Sequence, residues 1–428
     1  MEKPANMDLS VIIPTMNEAN NIQRVVIETE RVARGMNLTF EIIVVDGGSK
    51  DGTQEIARSS SEHVKVVIHG NRGYGAAMRD GFATAKGDYI LTMDADCSHD
   101  PEFLENFWNA RNSAEIVIGS RYVKNGKATM PVVRKVLSIA LNKFFRRGLS
   151  MPWKDLSSGF RMYQAAAIKS LSLRSWDFEI LQEILILGHM QGYKIVEIPI
   201  HYQPRASGSS HVRLMRFGMA YLKTFWASWR LRNSIESADY DDRAYDSIIP
   251  LQRYWQRKRC SILNEFADQQ GLTLDIGCGS SRILAYPLKL VGLDIRLNKL
   301  RYGRKFSRPL VNGTIWSLPF NDRTFDCVIC SEVIEHIPAG IQPFLEMRRV
   351  LKPKGVLVIG TPDYAHFTWR SIEAVYRYAA PGGYADEHIT HYSLESLKQM
   401  LVDLGFRITA EKYILNSEMI LRCVNENN

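Results

Sequence analysis

Apolar and polar positions alternate along this chain on two different periods, and the switching between them predicts its elements. Short β-branched runs at Leu9–Pro14, Glu41–Asp46, Val64–Ile68, Tyr89–Met93 and Ile116–Gly119 read as strands. Between them, residues near 19–35, 52–60, 74–86 and 102–110 carry apolar side chains at helical spacing. A basic helix is expected over 250–269, and strand-like runs then return at 272–276, 290–294, 325–330 and 355–360. Strand–helix alternation in both halves predicts the α/β class, with largely parallel sheets. In such sheets ligands gather where strands end at their carboxyl side. Asp46, Asp94 and Asp96 are all expected there.

The stretch 212–232 has a different pattern. On a helix, Leu214, Phe217, Tyr221, Leu222, Phe225, Trp226 and Trp229 share one broad face, with Arg213, Arg216, Lys223 and Arg230 beside it. Two partners suit such a helix: a membrane interface, or another part of the fold that leaves the basic edge in water. Residues 234–250, Ser-rich and then acidic, read as a linker.

Composition narrows the class. At 428 residues the chain is long for one core and sufficient for two, and 45% apolar content is that of a globular protein. No uncharged apolar run reaches the roughly 18 residues of a spanning helix. The net charge of +8 is concentrated, with six Lys or Arg and no acid between Ile198 and Ile235. The six cysteines lack metal-ligand spacing, and Cys327-x-x-Cys330 falls inside a strand-like run, so buried thiols are expected. The amino terminus leads into no apolar signal core, and the setting expected is reducing and cytoplasmic.

Two acid-bearing signatures carry the chemistry. Asp94-Ala95-Asp96 follows the strand Tyr89–Met93, and paired carboxylates at a strand end suit a divalent cation that completes its shell with substrate phosphate. The turn Leu274-Asp275-Ile276-Gly277-Cys278-Gly279 is followed 19 residues after Asp275 by Asp294, at the end of the next strand. Glycines there allow close backbone approach, and the second acid suits ribose hydroxyls.

Around the first signature lie Ser10–Glu18, Val44–Thr53, Asn71–Arg79, Gly119-Ser120-Arg121-Tyr122, Asp155–Arg161 and Arg205-x-x-Gly208-x-Ser210. This ordered set resembles family 2 glycosyltransferases, most of all their dolichyl-phosphate mannosyltransferase branch. The resemblance implies an amino-terminal nucleotide-diphospho-sugar transferase fold (GT-A, Rossmann-like) over residues 1–233. It implies a nucleoside held by Pro14, Glu18 and Asp46, with Asp51 a weaker candidate, and Mg²⁺ or Mn²⁺ held by Asp94 and Asp96. Asp94 also meets the nucleotide sugar, and Asp96, Arg121 and Arg205 serve the transfer. The implied reaction is inverting transfer of a hexose from a GDP-mannose or UDP-glucose type donor to polyprenyl or dolichyl phosphate. The acceptor is already an anion, so the protein chiefly positions two phosphates and screens their repulsion. Ser98 stands where relatives often carry an amide, and His211 where they carry a basic residue.

After the second signature come Trp316-Ser317-Leu318-Pro319-Phe320, Phe325–Glu332 and Val350–Val356 in order. Together they look like a class I S-adenosylmethionine-dependent methyltransferase, implying a Rossmann-like fold over 234–428. S-adenosylmethionine is then bound by Asp275, Gly277, Gly279 and Asp294. Glu332, His336, His388 and His391 are the candidates for a general base toward a hydroxyl acceptor. Ser281 and Thr314 depart from the family's usual glycine and acid.

These readings combine into a bifunctional enzyme, peripheral on the inner face of a membrane through the basic aromatic helix, methylating a glycan or lipid-linked intermediate. Its rivals are a polysaccharide or protein-glycan transferase with a methyl-capping domain, and a carboxyl domain kept as an inactive scaffold. A nucleic-acid partner is not expected, since no reader module accompanies the basic strip.

Overall fold

Each half of the chain builds one seven-stranded sheet. The computed structural model describes residues 7–70, 72–204, 214–379 and 388–426, and it divides into two compact units. These are Met1–His189 with Tyr193–Trp229, and Met190–Gly192 with Arg230–Asn428.

The strands of the first unit are β1 (Leu9–Thr15), β2 (Phe40–Asp46), β3 (Val64–Ile68), β4 (Tyr89–Thr92), β5 (Ile116–Ser120), β6 (Lys127–Ala128), β7 (Arg161–Gln164), β8 (Ile195–Pro199) and β9 (His201–Tyr202). Seven form the sheet in the order β3-β2-β1-β4-β7-β5-β8, while β6 pairs with β9. Strand β1 is parallel to both β2 and β4, so the chain order reverses beside it. Thr15 lies opposite Asp46 and Ile12 opposite Thr92, which brings the ends of β2, β1 and β4 to one edge. A crevice at such a reversal is where open α/β sheets bind ligands. Leu9, Val11 and Ile13 point from β1 into a core shared with Ile22, Val25 and Val26 of the helix Ile22–Gly35. Each such side chain contributes roughly 1.5–3 kcal/mol by leaving water.

The sheet is largely parallel as expected, with β7 alone running antiparallel, to both β4 and β5. Parallel and antiparallel strands share the same two-residue period, so the pattern carries no direction.

The second unit holds β10 (Leu272–Ile276), β11 (Lys289–Asp294), β12 (Leu310–Asn312), β13 (Phe325–Ser331), β14 (Leu351–Pro362), β15 (Phe406–Ile414) and β16 (Glu418–Asn425). Their order is β12-β11-β10-β13-β14-β16-β15, with β16 antiparallel to both neighbours and a reversal beside β10. Both faces of this sheet are covered, which explains the unbroken apolar run of β13. Val328 and Cys330 face a core with Phe344 and Met347 of the helix Gln342–Val350. Cys327 and Ile329 face Ile262, Leu263 and Phe266 of the helix Pro250–Phe266. Cys327 and Cys330 are therefore buried free thiols on opposite faces.

Two sequence expectations change. Residues 234–250 are not a linker. They include a helix, Tyr240–Tyr245, and bury Ile235, Ser237, Ala238, Asp239 and Asp242. Fully buried Arg232 is paired with Asp239, Asp241 accepts from Lys299 Nζ at 2.8 Å, and Asp242 accepts from Tyr302 Oη at 2.7 Å. Such an acidic stretch looks solvated until Lys299 and Tyr302, some 60 residues ahead, fold against Asp241 and Asp242. The second change is a helix over Val132–Gly148 that the pattern did not reveal. Its Phe144 and Phe145 pack on Phe225 of the helix Leu214–Arg232, at ring separations of 4.5 and 5.5 Å. Val132, Val133, Val136, Leu137, Trp226 and Trp229 stay exposed. Arg213 and the side chains of Leu214, Arg216, Phe217 and Tyr221 lie outside the described residues. Among those described, no helix is long and apolar enough to cross a membrane.

Candidate functional site

Each unit presents one candidate site. In the first, β4 ends at Thr92, whose hydroxyl donates to the Gly159 carbonyl at 2.7 Å, and the chain then turns through Cys97 at a φ of 60°. Asp94 is half-buried and Asp96 almost fully buried. The Asp94 N–H donates to His99 Nδ1 at 3.0 Å, which assigns the ring proton to Nε2, 3.8 Å from Asp94 Oδ2. Burial holds the His99 imidazole below its ordinary pKa despite the neighbouring Asp94 and Asp96, so the ring is neutral. It stacks on Phe160 at 4.8 Å. His99 thus shapes the acidic loop, a role for which a lone histidine in the sequence carried no signal. Asp96 Oδ1 accepts the Ser98 N–H at 3.0 Å, and the buried Ser98 Oγ has no hydrogen-bond partner. Carboxylates with a further oxygen beside them fit a hard divalent cation.

The nucleoside candidates lie along the same edge. Pro14 is half-buried near the end of β1. Asp46, at the end of β2 and fully buried, accepts from the N–H groups of Gly48 and Ser49 at 2.9 and 2.8 Å and from Gln54 Nε2 at 2.7 Å. In this arrangement it builds its own Gly-rich turn. Glu18 is half-buried, accepts from Asn21 Nδ2 at 2.6 Å, and has its backbone N–H bound by Thr53 Oγ1 at 2.9 Å. Asp51 accepts from that same Thr53 and from the Ala19 N–H at 3.0 Å, so it stitches two loops together.

The arginines divide. Arg121 Nε and Nη2 each reach Asp155 at 2.7 Å in a two-pronged pair, and Nη2 also donates to Ser157 Oγ at 2.8 Å. Burial pushes the Asp155 carboxyl up, but Arg121 outweighs it and holds the group below its ordinary value. The charge of Arg121 is thereby balanced within the fold. Arg161, fully buried, donates to the Leu181 and Leu156 carbonyls at 2.6 and 2.8 Å. Arg205, Gly208, Ser210 and His211 lie outside the described residues, as does Asn71.

In the second unit a cavity of about 540 Å³ opens at the ends of β10, β11 and β13, lined by Asp275, Gly277, Gly279, Asp294, Trp316 and Glu332 among others. Gly277 has a φ of 68°, and a Cβ there would meet Val333 Cγ2 at 2.3 Å. At Gly279, with a φ of 51°, a Cβ would meet Asp241 Oδ2 at 2.6 Å. Asp294 Oδ2 accepts the Gly279 N–H at 2.8 Å, and Oδ1 accepts the Arg296 N–H at 2.7 Å. Asp275 is different: its Oδ2 is buried without a hydrogen-bond partner. Burial, reinforced by the charge of Asp294, pushes the Asp275 carboxyl up to about 8. A buried acceptor left open beside a glycine turn fits a ligand that brings a cationic donor.

At the wall of this cavity the chain places Glu332 at a φ of 58°, a strained backbone for a non-glycine residue. Arg259 Nη2 reaches Glu332 Oε2 at 3.0 Å and Glu418 Oε2 at 2.7 Å. Burial raises Glu332 well above the usual carboxylate range against the pull of Arg259. His388 Nδ1 lies 2.7 Å from Tyr364 Oη, and burial with the nearby His336 and His391 depresses its pKa to about 3. His391 is exposed and stacks on Tyr364 at 3.9 Å. The structure therefore brings Glu332, His336 and His388 together and leaves His391 at their rim. Glu335, Arg259 and Tyr364 were not foreseen. Only the run Glu332-Val333-Ile334-Glu335-His336 offered a hint of Glu335.

Comparison with known proteins gives each half a relative. The model for "Glycosyl transferase family 2" matches residues 10–172, and that for "Methyltransferase domain" matches 274–359. A dolichol-phosphate mannosyltransferase of Pyrococcus furiosus is 38% identical over 214 residues, covering 48% of this chain and 60% of its own length. This chain therefore spans somewhat under two thirds of that enzyme. A polyprenol monophosphomannose synthase of Mycolicibacterium smegmatis is 32% identical over 243 residues, covering 53% of this chain and 89% of its own. Among solved structures, an S-adenosylmethionine-dependent methyltransferase of Thermotoga maritima, described as a possible histamine N-methyltransferase, is 19% identical. It covers 42% of this chain and 94% of its own, with a TM-score of 0.37.

Proposed function

Because the chain belongs to glycosyl transferase family 2 through its amino-terminal half and carries a methyltransferase domain behind it, we propose that it is a bifunctional enzyme of lipid-linked glycan assembly. Residues 1–233 transfer a hexose from a nucleotide sugar to a polyprenyl phosphate, and residues 234–428 methylate a hydroxyl on a glycan or lipid-linked product. The observation that carries the first activity is the acidic loop Asp94–Asp96 at the reversal edge, held in shape by His99. That of the second is the cavity in which Asp275 offers an unpartnered oxygen.

In the first domain, Asp94 and Asp96 would hold the divalent cation, Mg²⁺ or Mn²⁺, whose chemistry would be to offset charge on a departing diphosphate. Pro14 and Glu18 flank the nucleoside at the edge shaped by the Asp46 turn. Since Arg121 is balanced by Asp155, phosphate charge would fall to Arg205 and to a bound cation, with Arg121 anchoring the neighbouring loop. The acceptor phosphate attacks as an anion, which inverts the anomeric centre without a general base. In the second domain, S-adenosylmethionine supplies an activated methyl group. Asp275 would receive its ammonium and Asp294 its ribose hydroxyls, while Gly277 and Gly279 would let the protein backbone come close to it. The sulfonium needs no leaving-group assistance, so the protein's work is alignment and removal of the acceptor proton.

Exposed apolar residues of Val132–Gly148 and Leu214–Arg232, two helices without an acidic residue, support a peripheral seat on the inner, cytoplasmic face of a membrane. The test is incubation with Mg²⁺, polyprenyl phosphate and labelled GDP- and UDP-sugars, followed by solvent extraction. Label in the lipid phase is expected and names the donor. Label that stays in water, with S-adenosylmethionine still bound, overturns the lipid acceptor in favour of a polysaccharide or protein glycan.

A further inference from the structure

We propose that Glu335, His336 and His388 form a divalent metal site in the methyltransferase unit, placed to bind the acceptor hydroxyl. One donor atom from each of these residues lies within 4.8 Å of the others. Glu335 is fully buried, and its Oε1, 3.9 Å from His336 Nε2, has no hydrogen-bond partner. A buried carboxylate oxygen in that condition forfeits its solvation unless a ligand meets it.

The surroundings are those of ligating groups. Glu335 Oε2 accepts from Thr361 Oγ1 at 2.9 Å, which turns Oε1 toward the histidines. The Tyr364 hydroxyl donates to Glu373 Oε1 at 3.1 Å, so toward His388 Nδ1, 2.7 Å away, it acts as acceptor. The His388 ring proton is thereby held on Nδ1, and Nε2 keeps its lone pair for a metal. The Glu335 carbonyl accepts the N–H groups of Ile389 and Thr390 at 2.9 and 3.1 Å, tying the loop that bears His388 to the turn that bears Glu335. Charge points the same way. Glu332, Glu335 and Glu418 converge on this region, and Arg259 pairs with Glu332 and Glu418 but not with Glu335. A dication would balance the Glu335 carboxylate, which Arg259 does not pair.

Two imidazoles and one carboxylate, with positions left open, suit a divalent ion of the zinc, iron, cobalt or manganese group. The open positions face the right place. His336 lines the 540 Å³ cavity, and His388 lines a second, smaller one of about 90 Å³ that shares Glu332 and Arg259 with it. A cation held there would lie between these two cavities, beside the site assigned to the cofactor. Coordination acidifies a hydroxyl, whose proton leaves to solvent. The O–CH₃ bond then forms as the S–CH₃ bond breaks, and its electron pair stays on sulfur as a neutral thioether. The acceptor is accordingly an alcohol or sugar hydroxyl. That assignment rests on the methyltransferase reading, whereas occupancy of the metal site does not.

The test uses the full chain with Asp94→Asn and Asp96→Asn, so that the amino-terminal site is silent. Co²⁺ titration should give one equivalent of a visible band of the strength that histidine ligation confers, displaced by Zn²⁺. Glu335→Gln and His388→Ala should each abolish it while circular dichroism stays unchanged. Tyr364→Phe, a positioning change, should weaken Co²⁺ about tenfold. No band in the parent, or a band undiminished in either ligand variant, overturns the site. Calorimetry with S-adenosylmethionine runs in parallel. A Co²⁺ band without cofactor binding keeps the metal site and sinks the methyltransferase reading; cofactor binding without the band does the reverse.

Discussion

Affinity for S-adenosylmethionine should rise about ninefold between pH 6 and pH 7, because of one carboxyl group. Asp275 is buried beside Asp294, and its carboxyl is pushed up to about 8. At pH 7 roughly 90% of it is protonated in the free chain, and at pH 6 about 99%. The cofactor's ammonium needs the carboxylate, so binding expels the proton, and each pH unit below 8 costs about 1.4 kcal/mol. The sign follows from the direction of the shift. The group is raised in the free chain and lowered in the complex, so affinity increases with pH until the free carboxyl has ionised. Near pH 7 binding should release about 0.9 proton. Calorimetry in buffers of different ionisation enthalpy reads that number directly. Asp275→Asn should abolish the release and flatten the pH dependence. Asp294 is also raised by burial, so Asp294→Asn is measured beside it and should leave the Asp275 component in place. A dissociation constant equal at pH 6 and 7, or an undiminished proton release in Asp275→Asn, would refute the reasoning.

Other outcomes follow from the same geometry. Gly277→Ala places a Cβ 2.3 Å from Val333 at a φ of 68°; it should cost about 1–3 kcal/mol in chemical denaturation and remove cofactor binding. Arg121→Ala leaves fully buried Asp155 without its two-pronged partner, and about 3–5 kcal/mol of first-unit stability should be lost in urea. Arg121→Lys, which cannot make the fork, should recover only part of that. Asp96→Asn, or a chelator, should stop sugar transfer to lipid while the calorimetric constant for S-adenosylmethionine stays unchanged. His99→Phe should preserve the stacking on Phe160 but release the Asp94 N–H, lowering transfer at saturating donor by about tenfold, the price of roughly 1.4 kcal/mol of misplacement.

Much of this was open to a reader of the chain alone. The two alternating halves, the acids at the ends of β2 and β4, and the Gly277–Gly279 turn with Asp294 beyond it are local features. A period of two or of 3.6 residues, and a turn that only glycine fits, are properties of a short segment and survive without its neighbours. What the chain hid came from partners far away in sequence. Asp241 and Asp242 looked like part of a solvated linker because Lys299 and Tyr302 lie some 60 residues on. That Arg121 is paired within the fold was hidden because Asp155 is 34 residues off. The helix Val132–Gly148 has apolar residues around most of its circumference, so its period was blurred.

For function the same division holds. Sequence determined that there are two domains, each marked by a few residue types at fixed short spacing: Asp94 with Asp96, and Asp275 with Gly277 and Gly279. Only the tertiary structure decided which groups are already satisfied and which are still open. Hydrogen bonding and desolvation depend on everything packed around an atom. Asp46 and Arg121 are occupied within the fold, whereas Asp275 Oδ2 and Glu335 Oε1 are buried and unmet. His99 and His388 acquire their tautomers from a backbone amide and from a tyrosine hydroxyl, partners that folding alone brings within reach.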